Sequence, residues 1–368
     1  MHKPFLIDTE IITYNDLILL VNNKSIEVNL SEFQSLIVDK IKNLLDGNVL
    51  NYSELIDALK SKNKNIVLET SGTTGFPKTI THTFESITRN IKISENRFND
   101  IWAFTYNPNK MAGYQVLLQA LLNGNTLVNL FKCDFKEASD RIIKYEISHI
   151  SATPTFYKLL TSEGIDYSNV KQISFGGEGS TVELQSEIKK RFPNAKVKNI
   201  YASTELSSLF ATDGDSFIIP EKYKSLINLS DGKLKVNISL VGKSNDIKID
   251  GDWYDTGDLI EMVGDDKFKI VGREGSLLNI GGYQVNPIYI ENVIGGIEYI
   301  KLCNVYSKSN SILGTIIVCD VVIKSQYSKN VVDIKSDIKK ILNDYEVPTK
   351  INIVDEIKIT ENGKIERK

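Results

Sequence analysis

Cysteine is scarce in this chain of 368 residues. The three present, Cys133, Cys303 and Cys319, are odd in number, far apart and without C-x-x-C spacing. That argues against a disulfide framework and a thiolate zinc site, and fits a reducing compartment. Histidine is equally rare, and His2, His82 and His149 are too scattered to suggest a histidine metal centre. Excess positive charge is missing: 44 Lys and Arg stand against 47 Asp and Glu, with no basic run interleaved with aromatics, so a nucleic-acid role is disfavoured. Long apolar runs are missing too. Residues 17–21 are far too few to cross a bilayer, and the opening Met1-His2-Lys3-Pro4-Phe5 reaches Asp8 and Glu10 before any apolar stretch. No membrane span or export signal is expected, and the expected location is cytoplasmic.

What is present is an ordinary globular balance, 41% apolar and 25% charged residues, in a length that suggests one large α/β domain with a smaller companion. Strand-like runs at 66–68, 149–152, 170–175 and 197–200 alternate with helix-period segments at 137–145, 154–160 and 182–191. Such alternation predicts parallel strands joined by helical crossovers, with ligands at the carboxyl ends of the strands. From residue 234 short strands follow at 234–241, 247–249, 259–263 and 268–271, as in a meander. A last alternation has helices at 287–294 and 332–345 and strands at 300–306 and 314–323, enough for a small α+β domain.

Five segments carry chemistry. Thr70-Ser71-Gly72-Thr73-Thr74-Gly75-Phe76-Pro77-Lys78 combines glycines that permit close approach with hydroxyls, free amides and a lysine, an environment for phosphate. It lacks Walker order, and taken alone it also reads as a surface turn. Tyr201-Ala202-Ser203-Thr204-Glu205 offers an aromatic ring for a base, a hydroxyl for a phosphate and a carboxylate for magnesium, or else a helix cap. Trp253-Tyr254-Asp255-Thr256-Gly257-Asp258 has a carboxylate suited to ribose hydroxyls, or a turn aspartate. Gly272-Arg273 is followed by Gly281-Gly282, and the tail carries Gly363-Lys364.

In this order the segments resemble the adenylate-forming superfamily of acyl-CoA synthetases, carrier-loading adenylation domains and luciferases, in a short form with a reduced N-terminal subdomain. A fainter match is Ile12-Thr13-Tyr14-Asn15-Asp16-Leu17. The resemblance implies an α/β fold. Its large N-terminal domain, residues 1–273, has parallel-rich sheets, flanking helices and a β-rich segment; a small mobile α+β domain, residues 274–368, follows. It implies ATP-dependent activation of a carboxylic acid as an acyl-adenylate with pyrophosphate release, then acyl transfer to a thiol, either coenzyme A or the phosphopantetheine of a separate carrier protein. An amide ligase and a non-catalytic nucleotide-binding homologue are the alternatives.

Carried over by position, Thr70, Ser71, Gly72, Thr73, Thr74, Gly75 and Lys78 would hold the β and γ phosphates. Gly177, Glu178, Gly179 and Tyr201 would face adenine, beside Ala202 and Ser203. Thr204 would touch the α-phosphate, Glu205 would hold Mg2+, Asp258 would bind the ribose and Arg273 would reach the nucleotide. Lys364 would be the adenylation lysine. Lys110, Met111 and Gly113 would border the acyl pocket, with a short or polar acid preferred, and Gly281 and Gly282 the pantetheine tunnel. His82 is matched in several members, though packing or capping explains it equally well. Three departures stand out: a short segment between Tyr14 and Thr70, Ala202 in place of a glycine, and Gly275 at the hinge where Asp or Lys is usual.

Overall fold

Two short antiparallel strands, β1 (Pro4–Ile7) and β2 (Ile11–Thr13), open the chain and lead directly into helix α1 (Tyr14–Val21). The start of α1 is a capping box: Thr13 Oγ1 accepts from the Asp16 amide at 3.2 Å while Asp16 Oδ2 accepts from the Thr13 amide at 2.9 Å. Tyr14, fully buried, donates its hydroxyl to the Asn125 carbonyl at 2.7 Å, which ties this segment to the main sheet. The computed structural model describes residues 1–60, 65–70, 78–176, 182–280, 282–310, 314–361 and 363–366.

Helices α2 (Glu32–Asn43) and α3 (Tyr52–Lys60) precede a two-stranded antiparallel ladder of β3 (Asn65–Thr70) and β4 (Lys78–Thr83), after which comes the short α4 (Phe84–Thr88). The parallel alternation then runs β5 (Ile101–Phe104), α5 (Met111–Asn123), β6 (Thr126–Asn129), α6 (Phe135–Lys144), β7 (His149–Ala152), α7 (Pro154–Thr161), β8 (Gln172–Gly176), α8 (Val182–Arg191) and β9 (Lys196–Ser203), closed by the antiparallel β10 (Ser207–Thr212). The sheet order is β10-β9-β8-β7-β5-β6-β1-β2, with every pair between β9 and β1 parallel. Alternate residues enter different cores: Leu6, Trp102, Phe104 and Leu127 one, Ile7, Ala103, Val128, Ile150 and Ile173 the other. Burial on both faces is what a parallel sheet requires.

The next strands, β11 (Phe217–Ile218), β12 (Ile227–Ser230), β13 (Lys233–Asn237), β14 (Ile249–Asp250), β15 (Trp253–Met262) and β16 (Lys267–Arg273), form a second, antiparallel sheet of order β11-β16-β15-β13-β12, with β14 on β15. Its core of Leu206, Phe210, Phe217, Leu234 and Phe268 also packs the β10 edge. The hairpin β17 (Leu278–Ile280) and β18 (Tyr283–Val285), then α9 (Pro287–Gly295), β19 (Ile300–Asn310), β20 (Gly314–Ile323), α10 (Val331–Lys339) and β21 (Lys350–Ile353), build a separate C-terminal β-containing domain around Ile290, Ile300, Cys319, Ile334 and Ile351.

Three expectations change. The strand at 66–68 exists, but it pairs with β4 rather than with the parallel sheet. Residues 254–258 lie within a strand, β15, rather than in a turn. The last helix stops at Lys339, because Asn343 and Glu346 form their own closed turn, the Glu346 carboxylate accepting from the Asn343 amide at 3.1 Å.

Candidate active site

The carboxyl ends of the parallel strands converge on one edge: residues 105–110 after β5, Thr153 after β7, Gly176 at the end of β8 and Tyr201 to Glu205 at the end of β9. Strands β8 and β9 meet closely there. Gly176 pairs with Ile200, and a Cβ on it would lie 2.4 Å from the Ile200 carbonyl oxygen, so only glycine fits. Ser71, Gly72, Thr73, Thr74, Gly75, Gly177, Glu178, Gly179 and Gly281 lie outside the described residues. Thr70 and Lys78 face each other as the final register pair of the β3–β4 ladder.

The distant segments at 201 and 258 do meet. The Tyr201 hydroxyl donates to Asp258 Oδ2, and Arg273, paired with Asp258 across β15 and β16, brings its Nε to 3.9 Å from Asp258 Oδ1. The local cause is a bulge. Gly257 adopts φ +75°, Asp255 Oδ1 accepts from the Gly257 amide at 2.8 Å, and Thr256 Oγ1 accepts from the Asp258 amide at 3.0 Å. Burial, the largest influence, raises the Asp258 pKa, against the Tyr201 hydroxyl and Arg273, which lower it. One face of the Tyr201 ring stacks on Phe210, centroids 5.7 Å apart, so a base can meet only its other face. Burial and then the Glu205 charge push Tyr254 upward, which puts Glu205, Tyr254, Asp258 and Arg273 in one electrostatic neighbourhood.

Ala202 pairs with Ser208 across β9 and β10, and Ser203 Oγ accepts from the Leu206 amide at 3.2 Å. Thr204 offers its carbonyl to His82 Nε2 at 2.6 Å, and the Glu205 carbonyl accepts from the Gly242 amide at 2.7 Å. His82 is buried, which is the main cause lowering its pKa. Among the described residues no hydrogen bond or ion pair occupies the Glu205 carboxylate, and no group of three or more His, Cys, Asp or Glu could hold a metal by itself. One open carboxylate fits magnesium, which is commonly held by one or two carboxylates together with substrate phosphates and water.

The tail reaches the same edge. The Thr153 hydroxyl donates to the Gly363 carbonyl, Asn107 Nδ2 donates to Glu361 Oε2 at 2.9 Å, and Lys132 lies 3.1 Å from Glu361 Oε1. The Thr360 amide donates to the Lys364 carbonyl at 2.7 Å, closing a tight turn with Gly363 at φ +71°. Lys364 is therefore next to a residue held directly at the end of β7. The acyl-pocket candidates are placed differently from one another. Lys110 donates to the Glu69 carbonyl at 2.9 Å, Met111 is buried in the core, and Gly113 lies so close to Asn107 that a Cβ would be 2.4 Å from its carbonyl oxygen. Gly275 follows Arg273 in open space at φ +78°, and Gly282 turns between β17 and β18 at φ +92°.

Thr153, Asn107 and Lys132 are contacts that sequence reasoning missed. Thr153 had one signal, a threonine before Pro154 at the end of a strand, which marks a helix cap. Asn107 and Lys132 had none, because their partner lies more than two hundred residues away.

The AMP-binding enzyme family model matches residues 27–234, and the AMP-binding enzyme C-terminal domain model matches residues 289–364. A plipastatin synthase polypeptide of Bacillus subtilis is 25% identical over 346 residues, covering 82% of this chain and 14% of its own length. A putative long chain fatty acid-CoA ligase, VraA of Staphylococcus epidermidis, is 27% identical over 320 residues, covering 81% of this chain and 69% of its own. Among solved structures, ATP-bound MatB from Rhodopseudomonas palustris superposes with a TM-score of 0.66 at 20% identity, covering 81% of this chain and 66% of that one. This chain thus spans from 14% to 69% of the length of these relatives. No helix among the described residues is long and apolar enough to cross a membrane. With family models matching residues 27–234 and 289–364, the chain belongs to the AMP-binding enzyme family.

Proposed function

We propose that the protein activates a small carboxylic acid with ATP, forming an acyl-adenylate and pyrophosphate, and then transfers the acyl group to the thiol of coenzyme A or of a phosphopantetheine on a separate carrier protein. The observation that carries this reading is the meeting of the Gly363–Lys364 tail with the Thr153 edge, on the side of the sheet where Tyr201, Asp258 and Arg273 cluster. A carboxylate resists acyl transfer because oxide is a poor leaving group; as the AMP ester it carries a stabilised one. The carboxylate oxygen attacks the α-phosphorus, the bond to the β-phosphate oxygen breaks, and pyrophosphate takes that electron pair. Negative charge grows on the phosphoryl oxygens, where the Lys364 ammonium and the Thr204 hydroxyl would act as donors. Magnesium on Glu205 and the nucleotide phosphates would supply charge neutralisation when bound. Asp258 would accept from ribose hydroxyls, Tyr201 would lay its free face against adenine, and Lys78 would bind the outer phosphates. The same reading divides the chain into residues 1–273 and 274–368.

Exchange of labelled pyrophosphate into ATP across a panel of short and polar carboxylic acids tests the first half-reaction. Parallel assays with coenzyme A and a holo carrier protein test the second. No acid-dependent exchange with any member of the panel would overturn the reading. Asp258→Ala is expected to weaken ATP binding by about 1 to 3 kcal/mol through loss of a charged acceptor. Calorimetry returning unchanged affinity would remove Asp258 from the ribose site.

A further inference from the structure

His82 is buried where β4, the following α4 and the Thr204–Glu205 segment meet. Its ring is 1% exposed and makes two hydrogen bonds whose directions are fixed by their partners. On one side stands the Thr204 carbonyl at 2.6 Å, which can only accept, so Nε2 carries the hydrogen. On the other side is Ser86 Oγ, 2.6 Å from Nδ1. Ser86 Oγ receives Arg89 Nη2 at 3.2 Å, and the Ser86 carbonyl receives Arg89 Nε at 2.8 Å. In the neutral ring with Nε2 protonated, Nδ1 is an acceptor, and since the guanidinium cannot accept, the serine hydroxyl hydrogen points to Nδ1. The chain runs one way: Arg89 to Ser86, Ser86 to His82, His82 to the Thr204 carbonyl.

The far end of this chain is the peptide plane just before Glu205. The peptide plane just after it is held as well, because the Glu205 carbonyl accepts from the Gly242 amide at 2.7 Å. Residue 242 has no room for a side chain: a Cβ there would lie 2.6 Å from His82 Nε2 and 2.5 Å from Ile80 Cγ2. Beside it, Thr81 and Lys243 exchange two backbone hydrogen bonds of 2.8 Å. With both flanking peptide planes pinned, φ and ψ of Glu205 are set, and with them the direction in which its Cα–Cβ bond leaves the backbone toward the carboxylate.

We propose that His82 is a positioning residue for the metal-nucleotide site, acting in the Nε2–H tautomer through the Thr204 carbonyl to aim the Glu205 carboxylate. This rests on the reading of Glu205 as a magnesium ligand. A leucine at position 82 would fill the volume and leave the Thr204 carbonyl without its donor. A glutamine can present an amide hydrogen to the same oxygen.

Two measurements on the full chain test the proposal. With only three histidines, long-range proton–nitrogen NMR can assign the ring of His82 and read its tautomer; Nε2–H is expected, and Nδ1–H would overturn the proposal. Binding of Mn2+ together with ATP, followed by electron paramagnetic resonance, should weaken about tenfold in His82→Leu, the scale of one lost hydrogen bond. The affinity in His82→Gln should stay within about threefold of wild type. If His82→Leu does not fold, Ser86→Ala replaces it: the Thr204 carbonyl keeps the hydrogen on Nε2, the ring loses its second anchor, and a severalfold weaker Mn2+·ATP affinity is expected. Wild-type affinity in His82→Leu, equal losses in the Leu and Gln variants, or, where Ser86→Ala stands in, wild-type affinity in that variant would each overturn the proposal alone. A wild-type protein that binds no Mn2+·ATP would instead overturn the proposed function on which it rests.

Discussion

Lys364→Ala should reduce acid-dependent pyrophosphate exchange by at least about a hundredfold, the range seen when one preorganised donor to developing charge is removed. Transfer of the acyl group from a supplied acyl-adenylate to a thiol should survive. The asymmetry follows from where the tail is held. Thr153 and Asn107, which grip Gly363 and Glu361, belong to the edge of the main sheet, so on the proposed function the ammonium would serve what is bound there in this arrangement. On the proposed function the thiol would approach the same acyl-adenylate and would need the space the tail occupies. Single-turnover measurements of the two half-reactions decide the matter. Equal losses in both would mean that Lys364 supports the fold or binds nucleotide uniformly rather than stabilising the adenylation step.

Gly275→Pro is expected to have the second largest effect. The residue sits at φ +78°, a value proline cannot adopt because its ring fixes φ near −65°. The observed arrangement, with Gly363 on Thr153, should therefore be lost, and pyrophosphate exchange with it, while thiol acylation from preformed acyl-adenylate persists. Gly275→Ala should show a milder form of the same split, since a left-handed alanine costs about 1 to 2 kcal/mol. Between residues 1–273 and 274–368, Leu159 of α7 packs against Leu302 and Val322 of the C-terminal sheet, with Phe135, Val354 and Ile357 against the cluster. Full rates for both half-reactions in the proline variant would place the pivot elsewhere between residues 271 and 278.

The alternation of β7, α7, β8, α8 and β9 was legible in the sequence because its apolar runs are short, separated by amphipathic helices and bounded by polar residues. Strands β5 and β6 were not. Each has four residues, and the helix between them is buried on most sides, so Met111 to Asn123 lacks the periodicity that would have outlined it. The run at 66–68 announced a strand but could not announce its partner. Lys78 to Thr83 returns soon enough to pair with it antiparallel, which requires no crossover. At 254–258 the turn chemistry was real: Asp255 caps Gly257 as it would in a loop, yet the result is a bulge that keeps the strand running and aims Asp258 at Tyr201. The motif residues were visible one by one. Their assembly through Tyr201, Thr153 and His82 was not, because hydrogen bonds across tens to hundreds of residues leave no spacing to read.

Strand β1 imposes an order on how the molecule comes into being. Leu6 and Ile7 lie parallel to Leu127 and Val128, while β2 pairs with β1 from the outside. The strand is synthesised long before its parallel partner, and it must wait as an apolar hairpin while helices α1 to α5 emerge. Contacts of such sequence separation make for slow folding and leave β6 with a bare edge until β1 arrives. On a ribosome, β1 would therefore already be made and ready to seal β6 against aggregation as soon as that strand clears the exit.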